Sequence, residues 1–364
     1  MQSSGTSVRT ETEEPYRCCL QTQGSQPWKG HMPDTVNIVR FHQFGDASVL
    51  QLDQLPLPSP GQGEVRLRVK AIGLNRAEIM FREGKYVMQA GQLPSKLGFE
   101  ASGIVEAVGE AVDPSWVGRT ASCMPTFPPD RYGVYGEVAI LPVSAMSVYP
   151  ERLSFEEGTA IWAQYLTAWG GLIYFGGLRK GDHVLVTAAS SSTGLAAIQT
   201  IRAEGGISIA TTRTAAKREE LLAFGADYVI VTKEEDLVSR VRDITGGFGA
   251  RLIYDPIGGK GLETLVMAAA TSATIIEYGL LATEPTVLPL FMALGKYLTI
   301  KAYDVHEVFS LPEQLEAARQ YILRRITDGS YIPRIAKTFP LTDIADAHRY
   351  MESNAHIGKI VVTV

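Results

Sequence analysis

Residues 179–227 read RKGDHVLVTAASSSTGLAAIQTIRAEGGISIATTRTAAKREELLAFGAD. Positions 183–187 are a short apolar run, which predicts a strand. Positions 188–193 are small and polar, a tight turn. From Gly194 the apolar residues Leu195, Ile198 and Ile201 recur at helical spacing, and Gly205-Gly206 stops the helix. A second strand follows at 207–210. The unit is strand, small-residue turn, helix, strand, the arrangement that receives a dinucleotide pyrophosphate.

The chemistry of that turn is specific. Backbone must approach the phosphates closely, and the helix N-terminus offers unpaired N–H groups and a positive dipole end. The usual pattern is G-x-G-x-x-G. Here Ala188-x-x-Ser191-x-x-Gly194 keeps only the last glycine, and Ser190, Ser191, Ser192 and Thr193 supply hydroxyls able to donate to phosphate oxygens. The competing reading is a serine-rich turn with no ligand. The second strand ends at Thr211-Thr212-Arg213, with Lys217 and Arg218 beyond and no acidic residue before Glu219. An acidic side chain there would grip the ribose 2′-hydroxyl of NAD. The cations instead suit a 2′-phosphate. NADPH is the expected cofactor, with Thr212, Arg213 and Lys217 around the adenosine; the competing reading is a solvated first turn of a helix.

Working outward, βα alternation continues: strands at 228–231, 251–254 and 273–278, and helices at 237–245 and 262–270. Residues 36–108 are instead β-rich, with short strands between turns and a proline-punctuated loop at 55–61. Positions 64–71 alternate, with Val65, Leu67 and Val69 on one face. After 296 come a strand, a helix at 312–328 and a last strand at 360–364, all expected to return to the first domain. Residues 1–31 are polar and without periodicity, and read as a disordered extension or an upstream start.

At 364 residues, 45% hydrophobic and 20% charged, the chain has material for two domains and ample core. A net charge of −5 argues against a nucleic-acid surface or a basic membrane patch. No apolar run reaches membrane-spanning length. Cys18, Cys19 and Cys123 make no disulfide framework, which fits a reducing, cytoplasmic setting.

Six stretches carry a resemblance: GLNRAEIMFREGKY (73–86), LGFEASGIVEAVG (97–109), LTAWGGL (166–172), GDHVLVTAASSSTG (181–194), IYDPIGG (253–259) and IGKIVV (357–362). Over residues 36–364 the chain resembles the medium-chain dehydrogenase/reductase superfamily, and within it the zinc-free quinone oxidoreductase branch. The resemblance implies an α/β fold: a GroES-like β domain (32–152 and 296–364) with an inserted Rossmann domain, a doubly wound parallel sheet (153–295). The active site is expected in the cleft between them.

It also implies roles. Where the zinc alcohol dehydrogenases carry a cysteine, this chain has Asn75; where they carry Gly-His-Glu, it has Gly98-Phe99-Glu100. Phe99 cannot ligate zinc, residues 90–122 hold no cysteine, and the histidines lack a tetrahedral spacing. A metal-free site is expected, with the histidines at the surface or in supporting positions. A hydrogen-bond donor or acid must then meet the charge that develops on a conjugated carbonyl. Asn75 is the candidate donor, against the reading of a turn asparagine satisfying its own backbone. Tyr86 is the candidate proton donor, against that of a tyrosine packed at the cleft edge. Thr167, Tyr278 and Gly279 match columns near the nicotinamide, and Asn354 and Lys359 match a segment that closes over the cofactor. The expected activity is NADPH-dependent reduction of a small-molecule quinone or α,β-unsaturated carbonyl. An enoyl-thioester reductase, with Arg82, Lys85 and Lys96 at the cleft mouth, and a non-catalytic, crystallin-like NADPH-binding protein remain alternatives. The family pairs its Rossmann sheets edge to edge. That implies a homodimer through strand 273–278 and the apolar run Leu288, Leu290, Phe291, Met292, Leu294.

Overall fold

A computed structural model describes residues 34–364. The expected extension at 1–31 lies outside the described residues. The strands are β1 (Thr35–Phe41), β2 (Leu50–Pro56), β3 (Glu64–Gly73), β4 (Glu100–Val108), β5 (Thr120–Cys123), β6 (Val138–Pro142), β7 (Met146–Ser147), β8 (His183–Val186), β9 (Ile207–Thr212), β10 (Tyr228–Val231), β11 (Ala250–Asp255), β12 (Ala269–Glu277), β13 (Thr299–Ala302), β14 (Ile335–Pro340) and β15 (Lys359–Thr363). They form a β1–β2 hairpin and two larger sheets.

One sheet is parallel throughout, in the order β10-β9-β8-β11-β12-β13. The first strand in sequence lies in the middle, and the chain winds outward from it twice. Where strand order reverses, between β8 and β11, a crevice opens at the C-terminal ends of the strands. Buried on both faces, these strands are near-continuously apolar, as in Val184, Leu185, Val186 and Leu252, Ile253, Tyr254.

The other sheet runs β14-β15-β3-β4-β5-β7, with β6 also paired to β3. Strand β3 alternates as expected, and Val65, Leu67 and Val69 are buried against Leu141, Val105 and Ala121 in one core. The last strand, β15, joins β3 antiparallel, with Val361 opposite Gly73.

The expected domain boundary at 296 moves toward the C-terminus. Strand β13 is hydrogen-bonded to β12 in the parallel sheet. The helix Pro312–Thr327 places Ala318, Ile322 and Ile326 in the core of that same half. The chain returns to the first sheet only at β14. Its C-terminal apolar pattern fits either sheet equally; pairing partners decide. It follows that the edge strand at this end of the parallel sheet is β13, not the strand at 273–278, which is interior.

Candidate functional site

The serine turn is built as its composition predicts. Ser191 caps the twelve-residue helix Ser192–Ala203, its hydroxyl accepting from Gly194 N–H at 3.0 Å. Ala188 adopts a left-handed conformation, φ 45°, so the chain turns sharply off β8. A Cβ on Gly194 would stand 2.6 Å from the Ala189 carbonyl oxygen, so only glycine lets helix and turn close. Ser192 and Thr193 occupy the first helical turn, half-buried.

At the end of β9, Lys217 bridges two segments. Its Nζ donates to Ser190 Oγ (3.1 Å) and to the carbonyls of Asn354 (2.9 Å) and His356 (2.8 Å). Gly358 N–H donates to Ser190 O at 3.0 Å. The C-terminal segment is thus pinned to the serine turn. Arg213 is exposed and has no ion-pair partner among the described residues. Burial lowers the Lys217 pKa, and the nearby Arg213 charge lowers it further, only partly opposed by Glu220. Two neighbouring cations without a carboxylate between them attract an anion. Thr212 is buried at the strand end, its hydroxyl donating to Thr214 O at 3.2 Å.

The crevice floor was not foreseen from the sequence. Thr187, just past β8, hydrogen-bonds Asp255 at the end of β11. The other Asp255 oxygen accepts from Ile257 N–H (3.1 Å) and Gly258 N–H (2.7 Å), fixing the loop 256–259. Glu277, at the end of β12, is pushed well above the usual carboxylate range by burial and then by Asp255. Tyr278 stacks on Tyr254 with ring centroids 3.9 Å apart, and neither hydroxyl finds a partner among the described residues. The Tyr278 ring is only partly buried and packs against the core of the parallel half. Gly279 lies against Pro256, where a Cβ would come within 2.7 Å of the carbonyl oxygen. The Thr167 hydroxyl donates back to Ala163 O at 2.6 Å along its own helix.

Asn75 and Lys359 occupy unexpected roles. Lys359 is 1% exposed and pairs with the buried carboxylate of Glu100. Its Nζ also donates to Asn75 Oδ1 at 2.7 Å. Asn75 Nδ2 donates to Glu100 Oε2 (3.1 Å) and to Gly73 O (3.2 Å). Both amide hydrogens are therefore committed, and Asn75 offers no free donor to a substrate. Lys359 is likewise held by the protein instead of reaching over a cofactor. The Asn354 side chain accepts from Arg76 and donates to Glu352 O (3.0 Å), so it is the backbone carbonyl that faces Lys217.

A second buried network lies beneath. Glu78 accepts from the N–H groups of Asn75 (2.7 Å) and Phe99 (2.9 Å) and from the Tyr135 hydroxyl (2.6 Å). Burial pushes its pKa up to about 7. Tyr135 accepts from His348 Nε2 at 3.0 Å, and His348 Nδ1 accepts from Arg82 at 3.0 Å. Burial, and then the Arg82 charge, hold His348 down to about 3, so it is neutral. His348 is therefore a core residue in a supporting position, the second of the two places expected for the histidines. Arg82 is fully buried and also binds Gly45 O and Glu352, which removes it from any cleft mouth. Lys96 lines a groove of about 520 Å³ with Arg40 and Arg131 that includes none of the other candidate residues.

Tyr86 is half-buried between residues of the two halves. Its ring stands edge-on to Phe99, centroids 6.0 Å apart, and beside His306 from the other half at 6.4 Å. Burial, then the Asp304 and Glu78 charges, push its pKa up, so the phenol keeps its proton. Phe99 sits on Gly98, whose φ of 106° and contact with Tyr135 (2.4 Å to a Cβ) require glycine. Among the described residues no group of three or more His, Cys, Asp or Glu side chains is placed to hold a metal ion. Cys123 is buried, accepts from Ala101 N–H at 3.2 Å, and is pushed up to about 12 by burial. Neither it nor Phe99 suits zinc.

Comparison with known proteins agrees with this architecture. Residues 61–151 match the alcohol dehydrogenase GroES-like domain, and residues 192–322 match the zinc-binding dehydrogenase domain. The rat synaptic vesicle membrane protein VAT-1 homolog is 29% identical over 337 residues, covering 88% of this chain and 82% of that protein. No helix among the described residues is long and apolar enough to cross a membrane. The crystal structure of an NAD-dependent alcohol dehydrogenase superposes with a TM-score of 0.82 at 30% identity, covering 90% of this chain and 99% of that one. The Escherichia coli quinone oxidoreductase complexed with NADPH gives 0.83 at 29% identity, covering 90% and 100%. With the strand order, the serine turn and the residues at the two lost ligand positions, these likenesses place the family: the chain belongs to the medium-chain dehydrogenase/reductase superfamily, in its quinone oxidoreductase-like branch.

Proposed function

We propose that this protein is an NADPH-dependent oxidoreductase that reduces a quinone or an α,β-unsaturated carbonyl without zinc. The observation that carries the reading is the pair Lys217 and Arg213 at the end of β9, beside a serine-rich helix N-terminus. The residues fit the cofactor: Ser190 to Gly194 would hold the pyrophosphate, and Arg213 the 2′-phosphate, with the Lys217 charge beside it. When bound, NADPH supplies a hydride.

The protein's own residues then have separable tasks. Asp255 and Thr187 fix the crevice floor. Lys359 and Glu100 lock Asn75, which starts the helix Arg76–Arg82 and so sets where Tyr86 emerges. Asn75 is thus a positioning residue. The Tyr86 hydroxyl, between the two halves, is the candidate donor, and it is protonated at neutral pH. Phe99 closes the place where a metal ligand would stand and helps keep water out.

The test is NADPH oxidation by the purified full chain, with a chelator present, against a quinone, an enone and an enoyl-thioester. Turnover with the first two supports the reading. Turnover confined to the thioester, or NADPH binding with no turnover on any of them, replaces it. Loss of all turnover to the chelator overturns the metal-free chemistry.

A further inference from the structure

Arg76 opens the helix Arg76–Arg82 in the GroES-like half, directly after Asn75. Its side chain is half-buried and makes one hydrogen bond among the described residues, to the Asn354 side-chain oxygen. A guanidinium carries five N–H donors, so most of them are left over. The two acids whose charges act on Arg76 are already engaged. Glu352 is held by the buried Arg82 at 2.7 Å, and Glu83 by Lys85 at 3.0 Å. A half-buried cation without a counter-charge of its own is costly, and an arriving anion relieves that cost.

Asn354 is where Arg76 meets the serine turn. Its side chain accepts from Arg76, and its backbone carbonyl accepts from Lys217 Nζ at 2.9 Å. The same Nζ donates to Ser190 Oγ at 3.1 Å. Further along the segment, Gly358 N–H donates to Ser190 O at 3.0 Å, and Gly358 pairs with Ser191 in an isolated bridge. Lys359 then bonds Asn75, the neighbour of Arg76. Residues 354–359 therefore tie Arg76 to the serine turn at both ends of the segment. His356, within it, is held down to about 4 by burial and then by the Lys217 and Arg76 charges. It is neutral at pH 7 and neither adds to the two cations nor offsets them. The helix Ser192–Ala203 begins at the same turn and adds its positive dipole end.

Topology decides which anion Arg76 meets. Arg213 lies just past the end of β9, on the adenosine side of the crevice. The pyrophosphate of a dinucleotide lies over the helix N-terminus that follows β8. Arg76 comes from the opposite half to Arg213 and is tied to that turn. We propose that Arg76 is a pyrophosphate ligand, supplied by the GroES-like half to a site whose other groups come from the Rossmann half. This rests on the reading of the protein as an NADPH-dependent enzyme. The N–H groups that Asn354 leaves free bond a phosphoryl oxygen. Arg76 does not distinguish NADPH from NADH, because both carry the pyrophosphate; that choice belongs to Arg213.

The test is calorimetric titration of the full chain with NADPH, NADH, ADP-ribose and 2′-AMP. Arg76→Met should weaken the first three by about tenfold or more, the usual loss of a charged hydrogen bond. Binding of 2′-AMP, which has the 2′-phosphate and no pyrophosphate, should be unchanged. Arg76→Lys should recover part of the loss. ADP-ribose affinity should depend less steeply on salt in Arg76→Met and regain its steepness in Arg76→Lys, a reading that a lost packing contact does not move. Loss confined to NADPH and 2′-AMP assigns Arg76 to the 2′-phosphate and overturns the proposal. Undiminished binding in Arg76→Met overturns it, as does a loss with an unchanged salt dependence and no recovery in Arg76→Lys. An unaltered protein that binds neither NADPH nor ADP-ribose overturns the dinucleotide reading itself. That result is distinct from a protein that binds both and is indifferent to Arg76.

Discussion

Lys359 Nζ donates to Asn75 Oδ1 at 2.7 Å, joining positions 284 residues apart in sequence. With Glu100 they form a buried triad that ties β15 to the start of the helix Arg76–Arg82, which leads to the candidate acid Tyr86. Removing one member of a buried ion pair costs about 3–5 kcal/mol, because the other charge is left uncompensated. Lys359→Met should destabilise by that order in denaturant unfolding. The double variant Glu100→Gln, Lys359→Met should be less destabilised than the single one. Equal losses would show that the charge pairing does not matter.

Arg213→Ala should weaken NADPH binding about tenfold or more, since a charged hydrogen bond contributes about 1.5–3 kcal/mol. NADH binding should hardly change. Fluorescence titration of both cofactors reads the difference; an equal loss for both would remove the 2′-phosphate assignment.

Tyr86→Phe should lower enone turnover by roughly two orders of magnitude with little effect on NADPH affinity, because the ring packing against Phe99 survives and only the donor is lost. Quinone turnover should fall less, since a quinone's oxygens can take protons from solvent after reduction. Asn75→Ala should act differently. It removes the acceptor of Lys359, so stability and turnover on both substrates should fall together. Steady-state kinetics beside thermal unfolding separates the two.

Acid should destabilise the protein through His348. Its folded pKa, about 3, lies below its ordinary 6.5. The unfolded chain therefore binds the extra proton first, and the contribution is fully present above pH 6.5 and lost as pH falls toward 3. The slope from this group is about 1.4 kcal/mol per pH unit in that window. His356, lowered to about 4 by burial and then by Lys217 and Arg76, acts in the same direction. Unfolding free energy measured from pH 7 to 4 should fall, and His348→Gln should flatten the slope.

Leu290, Phe291 and Leu294 are 56%, 90% and 64% exposed, an apolar patch that a monomer leaves in water. With β13 as the sheet's edge strand nearby in sequence, we expect a homodimer across this face. Phe291→Asp should halve the mass found by light scattering at micromolar concentration. A monomer before substitution would refute the expectation.

Much of the parallel half is legible in the sequence because its signals are local. The strand at 183–187, the serine turn and the helix from Ser192 are contiguous, and each sets its own hydrogen bonds. The rest depends on distant partners. The pattern at 299–302 is that of a strand, and nothing within it names the sheet it joins. Asn75 looked like a free amide because Glu100 and Lys359 lie 25 and 284 positions away. His348 and Arg82 look solvated as letters; only the fold puts them on either side of one hydrogen bond.

The placing of β15 beside β3 bears on how the protein is made. On the ribosome, β3 and β4 emerge well before Lys359, the cation that pairs with Glu100 from 259 positions further on. Their sheet cannot close before β15, Lys359 included, has been translated. Until it clears the exit tunnel, the nascent chain holds an unbalanced carboxylate, and the serine turn lacks the C-terminal segment that Lys217 pins to it. A chain stalled near residue 350 would lack both the cation that pairs with Glu100 and the segment that Lys217 holds against the serine turn.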